Sequence, residues 1–187
     1  MHKLSTVGFQ GKLLRWLSSF LSDRTMRVGV HGSYSTWFHM LSGVPQGSVL
    51  GPVLFLLYVN DLPDWIKCSM RMFADDMKIW NIVTSASDCS DLQMDIDVLV
   101  QWSNKWLLHY NSDKCKVMSL GHSVNHDYSI TDHSGTHIMS RTSEEKDLGI
   151  FIRDNLTLFS VPKLQPEHAP YSEWSEGISN DLTAMTF

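Results

Sequence analysis

The chain has 187 residues, of which 43% are hydrophobic, 11% aromatic and 19% charged. This composition excludes an intrinsically disordered chain, because so many apolar side chains favour a buried core. The length fits one medium domain or part of a larger one. A net charge of −5 argues against broad electrostatic binding of nucleic acid, although it leaves room for a local basic surface.

The charge is unevenly spread along the chain. Residues 1–67 carry six basic and three acidic side chains, whereas the remainder is acidic. A polyanion contact is therefore expected early in the chain, with two ordinary solvated surfaces as the alternative. The three cysteines lack zinc-ligand spacing and are interpreted as reduced thiols of an intracellular protein, with nucleus and cytoplasm left open. No stretch reaches the roughly 20 apolar residues that span a bilayer, so no membrane association is expected.

The first third of the chain predicts two helices separated by a hairpin and a loop. Apolar residues at helical spacing predict a helix over Gly11–Phe20. Two extended segments around a turn predict a hairpin within residues 26–41. A loop rich in Gly, Pro, Gln and Ser at 42–52 leads into a buried apolar helix at 53–59, which Pro63 is expected to end.

The middle of the chain predicts a hairpin with an acidic turn. Strand-like runs at 68–73 and 77–83 are separated by Asp75 and Asp76. Strands joined by a tight turn of this kind place both carboxylates at one end of a sheet. Taken alone, two adjacent aspartates are more often an ordinary surface turn. The glycine-rich loop and apolar helix that precede them favour a functional site.

The clearest helix is predicted at Ser90–Leu108, where one apolar stripe recurs at helical spacing. The helix is expected to be capped by its first residue or by Asp88, with Asp95 on its exposed side. The stripe includes Trp102 and Trp106. We interpret both as core residues rather than as stacking platforms for nucleic acid.

The last third predicts strands at 116–120 and 148–152, followed by an aperiodic, flexible tail at 161–187. Two His-x3-His pairs fall in a segment that is predicted to be a turn-rich loop: they are His122, His126, His133 and His137. Zinc sites with this spacing need a helix, so surface histidines are the preferred interpretation.

Three segments in a fixed order resemble a known family. They are Ser-Gly-Val-Pro-Gln-Gly-Ser-Val-Leu-Gly-Pro at 42–52, an apolar run ending in Asn-Asp-Leu-Pro at 54–63, and Phe-Ala-Asp-Asp at 73–76. Together they resemble the reverse transcriptases of non-LTR (LINE-type, jockey-like) retrotransposons. The resemblance extends over roughly residues 4–160.

The resemblance implies an α+β fold: a partial polymerase palm, with an antiparallel sheet and helices on one face, running into the start of a thumb. Residues 1–120 would be the palm, 121–160 the palm–thumb connection with primer-grip-like strands, and 161–187 an unrelated tail. The implied activity is RNA-directed DNA synthesis by two-metal nucleotidyl transfer. The implied ligands are an RNA template, a DNA primer, deoxynucleoside triphosphates and Mg²⁺ or Mn²⁺. The oligomeric state is left open.

The resemblance also assigns roles to single residues. Asp75 and Asp76 would be the catalytic, metal-binding carboxylates. The implied substrate-binding residues are Gly43, Pro45, Gln46, Gly47, Phe73 and Lys114, with Lys116 as the alternative to Lys114. A solvated lysine at a strand edge remains the alternative for both lysines. Arg24 and Arg27 would contact phosphate or simply solvate the hairpin.

One part of the family pattern is not found in the sequence. The family takes a third carboxylate from an earlier strand beside the acidic hairpin, whereas Asp23 is the only acid ahead of the loop. The chain alone is therefore expected to be inactive, with one edge of the hairpin exposed or differently covered. The alternatives are a non-catalytic remnant that binds nucleic acid or protein, and a decayed reading frame that does not fold alone.

Overall fold

The computed structural model describes residues 1–121, 124–132, 135–155, 158–160 and 181–186. Internal contacts divide the chain into two compact units, Met1–Asp61 and Leu62–Phe187. Helices occur together with mainly antiparallel sheets, which confirms the α+β class. The predicted division into palm and connection at residue 120 is a functional one and stays a prediction.

Three helices build the core of the first unit. They are α1 (His2–Thr6), α2 (Gly11–Leu21) and α3 (Leu50–Val59). Each helix contributes one buried leucine to a single cluster, formed by Leu4, Leu17 and Leu54. The helix predicted at Gly11–Phe20 is thereby confirmed, because its apolar stripe is the side that packs into this cluster.

The hairpin predicted within residues 26–41 is present as two short ladders. Strands β1 (Thr25–Met26) and β4 (Phe38–His39) pair antiparallel, as do β2 (Gly29–Val30) and β3 (Ser33–Tyr34). The inner turn is tight. His31 and Gly32 both have positive φ, at 48° and 80°, as a two-residue turn between twisted strands requires.

The third helix of this unit, α3, differs from its prediction in extent and burial. Helix α3 begins three residues earlier than predicted and ends at Val59, before Pro63. It was expected to be buried, yet Val53 and Leu56 are exposed. A continuous apolar run has no polar residues at helical spacing, so the sequence does not indicate which face of the helix is exposed.

The second unit contains the remaining helix and strands. They are β5 (Ser69–Phe73), β6 (Asp76–Ile82), α4 (Ala86–Trp106), β7 (Lys116–Gly121), β8 (Ser129–Asp132), β9 (Gly135–Ile138), β10 (Ser140–Arg141), β11 (Glu144–Asp147), β12 (Ile150–Arg153), β13 (Leu158–Ser160) and β14 (Asp181–Thr186). The main sheet has five strands in the order β10-β7-β14-β6-β5, and β11, β12 and β13 form a second, antiparallel sheet. Helix α4 packs against β6 and β8.

The strand at 181–186 corrects the prediction of a flexible tail for these six residues. Strand β14 lies between β6 and β7 and pairs antiparallel with both. It therefore covers the edge of the acidic hairpin that was expected to be exposed or differently covered. Residues 161–180 and residue 187 lie outside the described residues.

Helix α4 begins earlier than predicted, and its cap is a different residue. Ser85 is the N-cap: its hydroxyl accepts from the Asp88 N–H, while the Asp88 carboxylate accepts from the Ser85 N–H at 2.8 Å. This reciprocal pair is a capping box. Asp88 was a predicted cap, but it acts from the third helical position. Trp102 is buried in the core as predicted, and Trp106 is half-buried.

We expect the capping box to make stability depend on acid pH. The pKa of Asp88 is lowered, chiefly by the hydrogen bond from the Thr84 backbone N–H and then by Ser85. Because its pKa is lowered in the folded state, the ionised Asp88 carboxylate stabilises the fold at pH values above its ordinary pKa of 3.8. This contribution is lost as the pH falls through the folded-state pKa. The difference in urea midpoint between wild type and Asp88→Asn should therefore be present at neutral pH and vanish in acid. A difference that persists unchanged in acid would contradict this.

Part of the histidine-rich segment, for which a turn-rich loop was predicted, lies in two paired strands. Strands β8 and β9 pair from Ser129↔Ile138 to Asp132↔Gly135. The ring of His126 packs edge-on against Tyr128, with centroids 4.8 Å apart, and His137 lies 3.5 Å from the Asp132 carboxylate. Both histidines are half-buried at the surface, and the His137 side chain is 37% exposed. His122 and His133 lie outside the described residues.

Candidate active site at the acidic turn

The acidic turn closes a tight hairpin, as predicted. Strands β5 and β6 pair from Ser69↔Trp80 to Phe73↔Asp76, so that only Ala74 and Asp75 lie in the turn. Asp76 is the first residue of β6 rather than a turn residue. Ala74 has a φ of 53°, which an L-residue with a Cβ adopts only at a cost in energy. The backbone is therefore strained at the residue just before the two carboxylates.

Both carboxylates are solvent-exposed, and an aromatic ring lies beside them. Asp76 and Phe73 are directly opposite partners, so their side chains share one face of the sheet. The Phe73 side chain is 63% exposed, although large apolar residues are usually buried. The next residue, Met77, faces the opposite side and is buried. The turn therefore presents two acids and one ring to solvent while its other face anchors it.

The donor set of the turn fits a hard divalent cation. Mg²⁺ is usually bound through one or two carboxylates, with phosphate oxygens and water completing its coordination. Asp75 and Asp76 supply two such carboxylates on adjacent residues. Within the part of the chain that the structure describes, no group of three or more His, Cys, Asp or Glu side chains could hold a metal. The turn alone thus offers two carboxylate ligands, and water or phosphate oxygens would supply the others.

Two ion pairs attach strand β11 to the same part of the main sheet. Lys78 lies two residues after Asp76 on β6, and its ammonium group is 2.6 Å from Asp147. Lys116 on β7 lies 3.2 Å from Glu145. Glu145 and Asp147 are two residues apart on β11, so their side chains point to the same face of the strand. These contacts fix the β11–β12 hairpin relative to the strand that begins with Asp76.

Sequence reasoning did not find these contacts, one of which involves a candidate lysine. Lys116, the alternative phosphate ligand, is engaged with Glu145. Lys114 is exposed at the end of a short 3-10 helix, Ser112–Lys114. The only signal for these contacts in the sequence was the spacing of two acidic residues, Glu145 and Asp147, two positions apart. This spacing does not identify their lysine partners until the neighbouring strands are known.

The glycine-rich loop in the first unit is held by its own hydrogen bonds. Gly43 and Gly47 both have a φ of 77°, which a residue with a side chain rarely adopts. The Ser48 hydroxyl donates to the Pro45 carbonyl at 2.8 Å and accepts from the Gly51 N–H at 3.0 Å. Gln46 is exposed at the tip. The loop therefore has a defined shape and presents backbone and one amide side chain to solvent.

Arg24 positions this loop. Its guanidinium donates to the carbonyls of Leu21, Ser42 and Gly43, joining the end of α2 to the start of the loop. The sequence predicted that Arg24 contacts phosphate or solvates the hairpin; the structure adds these hydrogen bonds to the loop, and contact with phosphate stays a prediction. Arg27 packs over two exposed rings, 4.0 Å from the centroid of Tyr34 and 4.7 Å from that of Trp37.

The cysteines are free thiols and are suited to packing rather than to chemistry. Burial and a hydrogen bond with Asp95 raise the pKa of Cys68 to about 12, and burial raises that of Cys115 to about 12. Since the thiolate is the nucleophile, both groups are inert at neutral pH.

A comparison with models of known families covers both the acidic hairpin and the glycine-rich loop. The model of the family described as reverse transcriptase (RNA-dependent DNA polymerase) matches residues 1–152. The chain belongs to this family.

The curated relatives that the chain matches are polymerases of non-LTR mobile elements. The chain is 28% identical over 155 residues to the RNA-directed DNA polymerase from mobile element jockey of Drosophila funebris, covering 78% of this chain and 17% of that protein. It is 34% identical over 116 residues to the jockey polymerase of Drosophila melanogaster, covering 57% and 13%. It is 36% identical over 110 residues to the probable RNA-directed DNA polymerase from transposon BS of the same species, covering 52% and 12%. The chain thus spans less than a fifth of these relatives.

No solved structure matches the chain. Across the described ranges, none of the helices has the length and apolar character that crossing a bilayer requires.

Proposed function

We propose that the chain is the palm, and the beginning of the thumb, of an RNA-directed DNA polymerase of a non-LTR retrotransposon. Asp75 and Asp76 would be its metal-binding, catalytic carboxylates. The observation that carries this proposal is the two-residue turn that displays both acids beside the exposed Phe73, in a chain of the reverse transcriptase family. The substrates would be an RNA template, a DNA primer and deoxynucleoside triphosphates.

The cofactor would be Mg²⁺ or Mn²⁺, held by the two aspartates. Bound divalent ions activate a primer hydroxyl and stabilise the leaving pyrophosphate in nucleotidyl transfer. The hairpin contributes by fixing where the carboxylates stand: its ladder runs to the last pair before the turn, and Met77 anchors it. Phe73 would support the primer end through its exposed ring, which shares a face with Asp76.

The remaining substrate contacts come from the loop and from a lysine. Gly43, Pro45, Gln46 and Gly47 would line the pocket for template and incoming nucleotide, because their exposed backbone permits close approach. Lys114 would lie near the phosphates of the nucleotide, since Lys116 is already paired with Glu145. These roles follow the family motif position by position.

Binding of a primed RNA template tests the proposal. We expect Mg²⁺ to tighten binding of a fluorescent RNA–DNA primer–template to the full chain, because the cation would bridge Asp75 and substrate phosphates. Asp75→Asn should remove this Mg²⁺-dependent increment, measured by anisotropy. Asp91→Asn, an exposed aspartate on α4, is the matched control and should keep it. Equal binding with and without Mg²⁺ in wild type would refute the proposed site.

We expect the chain alone not to extend a primer. The described residues offer two carboxylates at the turn, and loss of one charge-stabilising group at a reaction centre costs ~10²–10³ in rate. Primer extension with labelled nucleotides measures this directly. Extension that Asp75→Asn abolishes would refute the inactivity and support the catalytic role of the turn.

A second candidate is a nucleic-acid-binding role without catalysis. It is favoured by the stack in which Arg27 lies over Tyr34 and Trp37, whose rings are 63% and 60% exposed. Exposed aromatic rings beside a cation are the usual platform for single-stranded nucleic acid. The surrounding unit carries five basic and two acidic side chains, which complements a polyanion.

Replacing Trp37 separates this candidate from the first. Trp37→Ala should weaken binding of single-stranded RNA by about 1–3 kcal/mol, because one stacked base loses its platform. The loss should be the same with and without Mg²⁺, and wild-type binding should weaken steeply with salt. Trp65→Ala is the control, since that ring is half-buried and lies under Lys105. Unchanged RNA binding by Trp37→Ala would exclude the stacking role.

A further inference from the structure

The last described strand of the chain occupies an inserted position in the main sheet. Strand β14 pairs with β6 from Leu182↔Ile82 to Thr186↔Lys78, and with β7 from Asp181↔Gly121 to Thr186↔Lys116. Both neighbours come much earlier in the sequence. Without β14, each would present an open row of N–H and C=O groups, which readily pairs with another strand. We call this position, bounded by β6 and β7, the strand slot.

The slot selects its occupant by side chain as well as by backbone. Met185 is 1% exposed and stands opposite Ile79 on one side and Val117 on the other, both buried. The slot therefore requires an apolar side chain at this position of an extended segment. Thr183, the other buried position, is a poorer fit: within the described residues its hydroxyl has no hydrogen-bond partner. An unpaired buried hydroxyl weakens the hold of the slot on this strand.

We propose that the slot is a strand-exchange site in which residues 181–186 of a second copy of this chain replace the chain's own strand. The same backbone and side-chain contacts form whichever copy supplies the strand. Twenty residues, 161–180, connect Ser160 to Asp181. Fully extended, a segment of this length spans at most about 70 Å, which is enough to reach a neighbouring copy. The exchange is reciprocal, so it closes as a two-fold dimer.

The exchange changes what lies beside the acidic turn. Thr186 pairs with Lys78, two residues from Asp76, so the occupying strand ends next to the candidate site. In the exchanged dimer this end belongs to the other copy. The inference does not depend on the proposed polymerase function, because it rests only on the pairing and burial of β14.

Disulfide trapping in full-length chains tests the exchange. Ala184 and Met118 are Cα partners across the slot, within the range that a disulfide bridges. One variant carries Ala184→Cys and another carries Met118→Cys. Mixing them under mild oxidation should give a covalent dimer on non-reducing gels, with a 184–118 disulfide identified by mass spectrometry. A mixture of Thr183→Cys with Met118→Cys is the register control and should give none, because residue 183 faces the other side.

A chain that carries both Ala184→Cys and Met118→Cys shows whether the slot holds its own strand. It should form the 184–118 disulfide within one chain when the slot holds its own strand, and between two chains in the exchanged dimer. If it does so only within one chain while the mixture yields no covalent dimer as concentration rises, strand exchange is refuted. If the double variant forms no 184–118 disulfide, either within one chain or between two chains, the strand does not occupy the slot and the proposal also fails. Polymerase activity does not enter either outcome.

Discussion

Replacing Asp95 by asparagine should lower the free energy of unfolding by about 2–3 kcal/mol, since it removes a buried, charged acceptor from two backbone N–H groups. Asp95 lies on α4, is 7% exposed, and accepts from the backbone N–H groups of Lys67 and Cys68 at 3.1 and 2.7 Å. Both carboxylate oxygens are used. An asparagine amide offers one acceptor and turns its NH₂ group toward one of the two donors. The loss should appear as a lower urea midpoint.

The comparison with Asp91→Asn isolates this effect. Asp91 lies one turn earlier on the same helix and is exposed, so its replacement should change stability by no more than about 0.5 kcal/mol. Asp95 fixes the chain directly before β5, and hence the start of the acidic hairpin, to α4. Equal midpoints for the two variants would show that Asp95 is not needed to hold this connection.

Replacing Trp102 by alanine should cost about 3–5 kcal/mol, because it removes a large buried side chain and leaves a cavity. Trp102 is 0% exposed and belongs to the apolar stripe of α4. The expected result is a lower thermal midpoint with a retained cooperative transition, provided that the remaining stability exceeds the loss. Trp102→Phe should lose less, because it retains most of the buried apolar area.

Trp37→Ala provides the contrast for this prediction. Its ring is exposed, so the substitution should leave the thermal midpoint nearly unchanged while it weakens binding of single-stranded RNA. The two tryptophans would thus separate stability from binding. A stability loss at Trp37 comparable to that at Trp102 would contradict this division.

The local sequence pattern was sufficient to predict the β5–β6 hairpin and helix α2. The hairpin at β5–β6 follows from alternating residues on both sides of a two-residue turn, and α2 follows from its apolar spacing. Helix α4 was predicted except for its first four residues, with an end two residues beyond Trp106. Its start was misplaced because the capping box is centred on Ser85, in a polar stretch without apolar periodicity.

Non-local contacts account for what the sequence did not show. Strand β14 has only a weak alternation, and its position is set by β6 and β7, which are distant in sequence. Asp95 looked like one more acid on an exposed helix side, because its backbone partners lie 27–28 residues earlier. The roles of Lys78 and Asp147 likewise depend on which strands meet. Arg24 was ambiguous until the loop carbonyls were placed beside it.

Direct titration with Mn²⁺ most sharply tests whether the acidic turn binds a divalent metal. Electron paramagnetic resonance measures the free ion, and the wild-type chain should bind Mn²⁺ through Asp75 and Asp76. Even loss of an outer partner weakens metal sites 10–100-fold, so Asp75→Asn, which replaces a ligand, should weaken binding at least ~10-fold. Asp91→Asn should bind as wild type does. Undiminished Mn²⁺ binding by Asp75→Asn would contradict the assignment of the turn as the metal site.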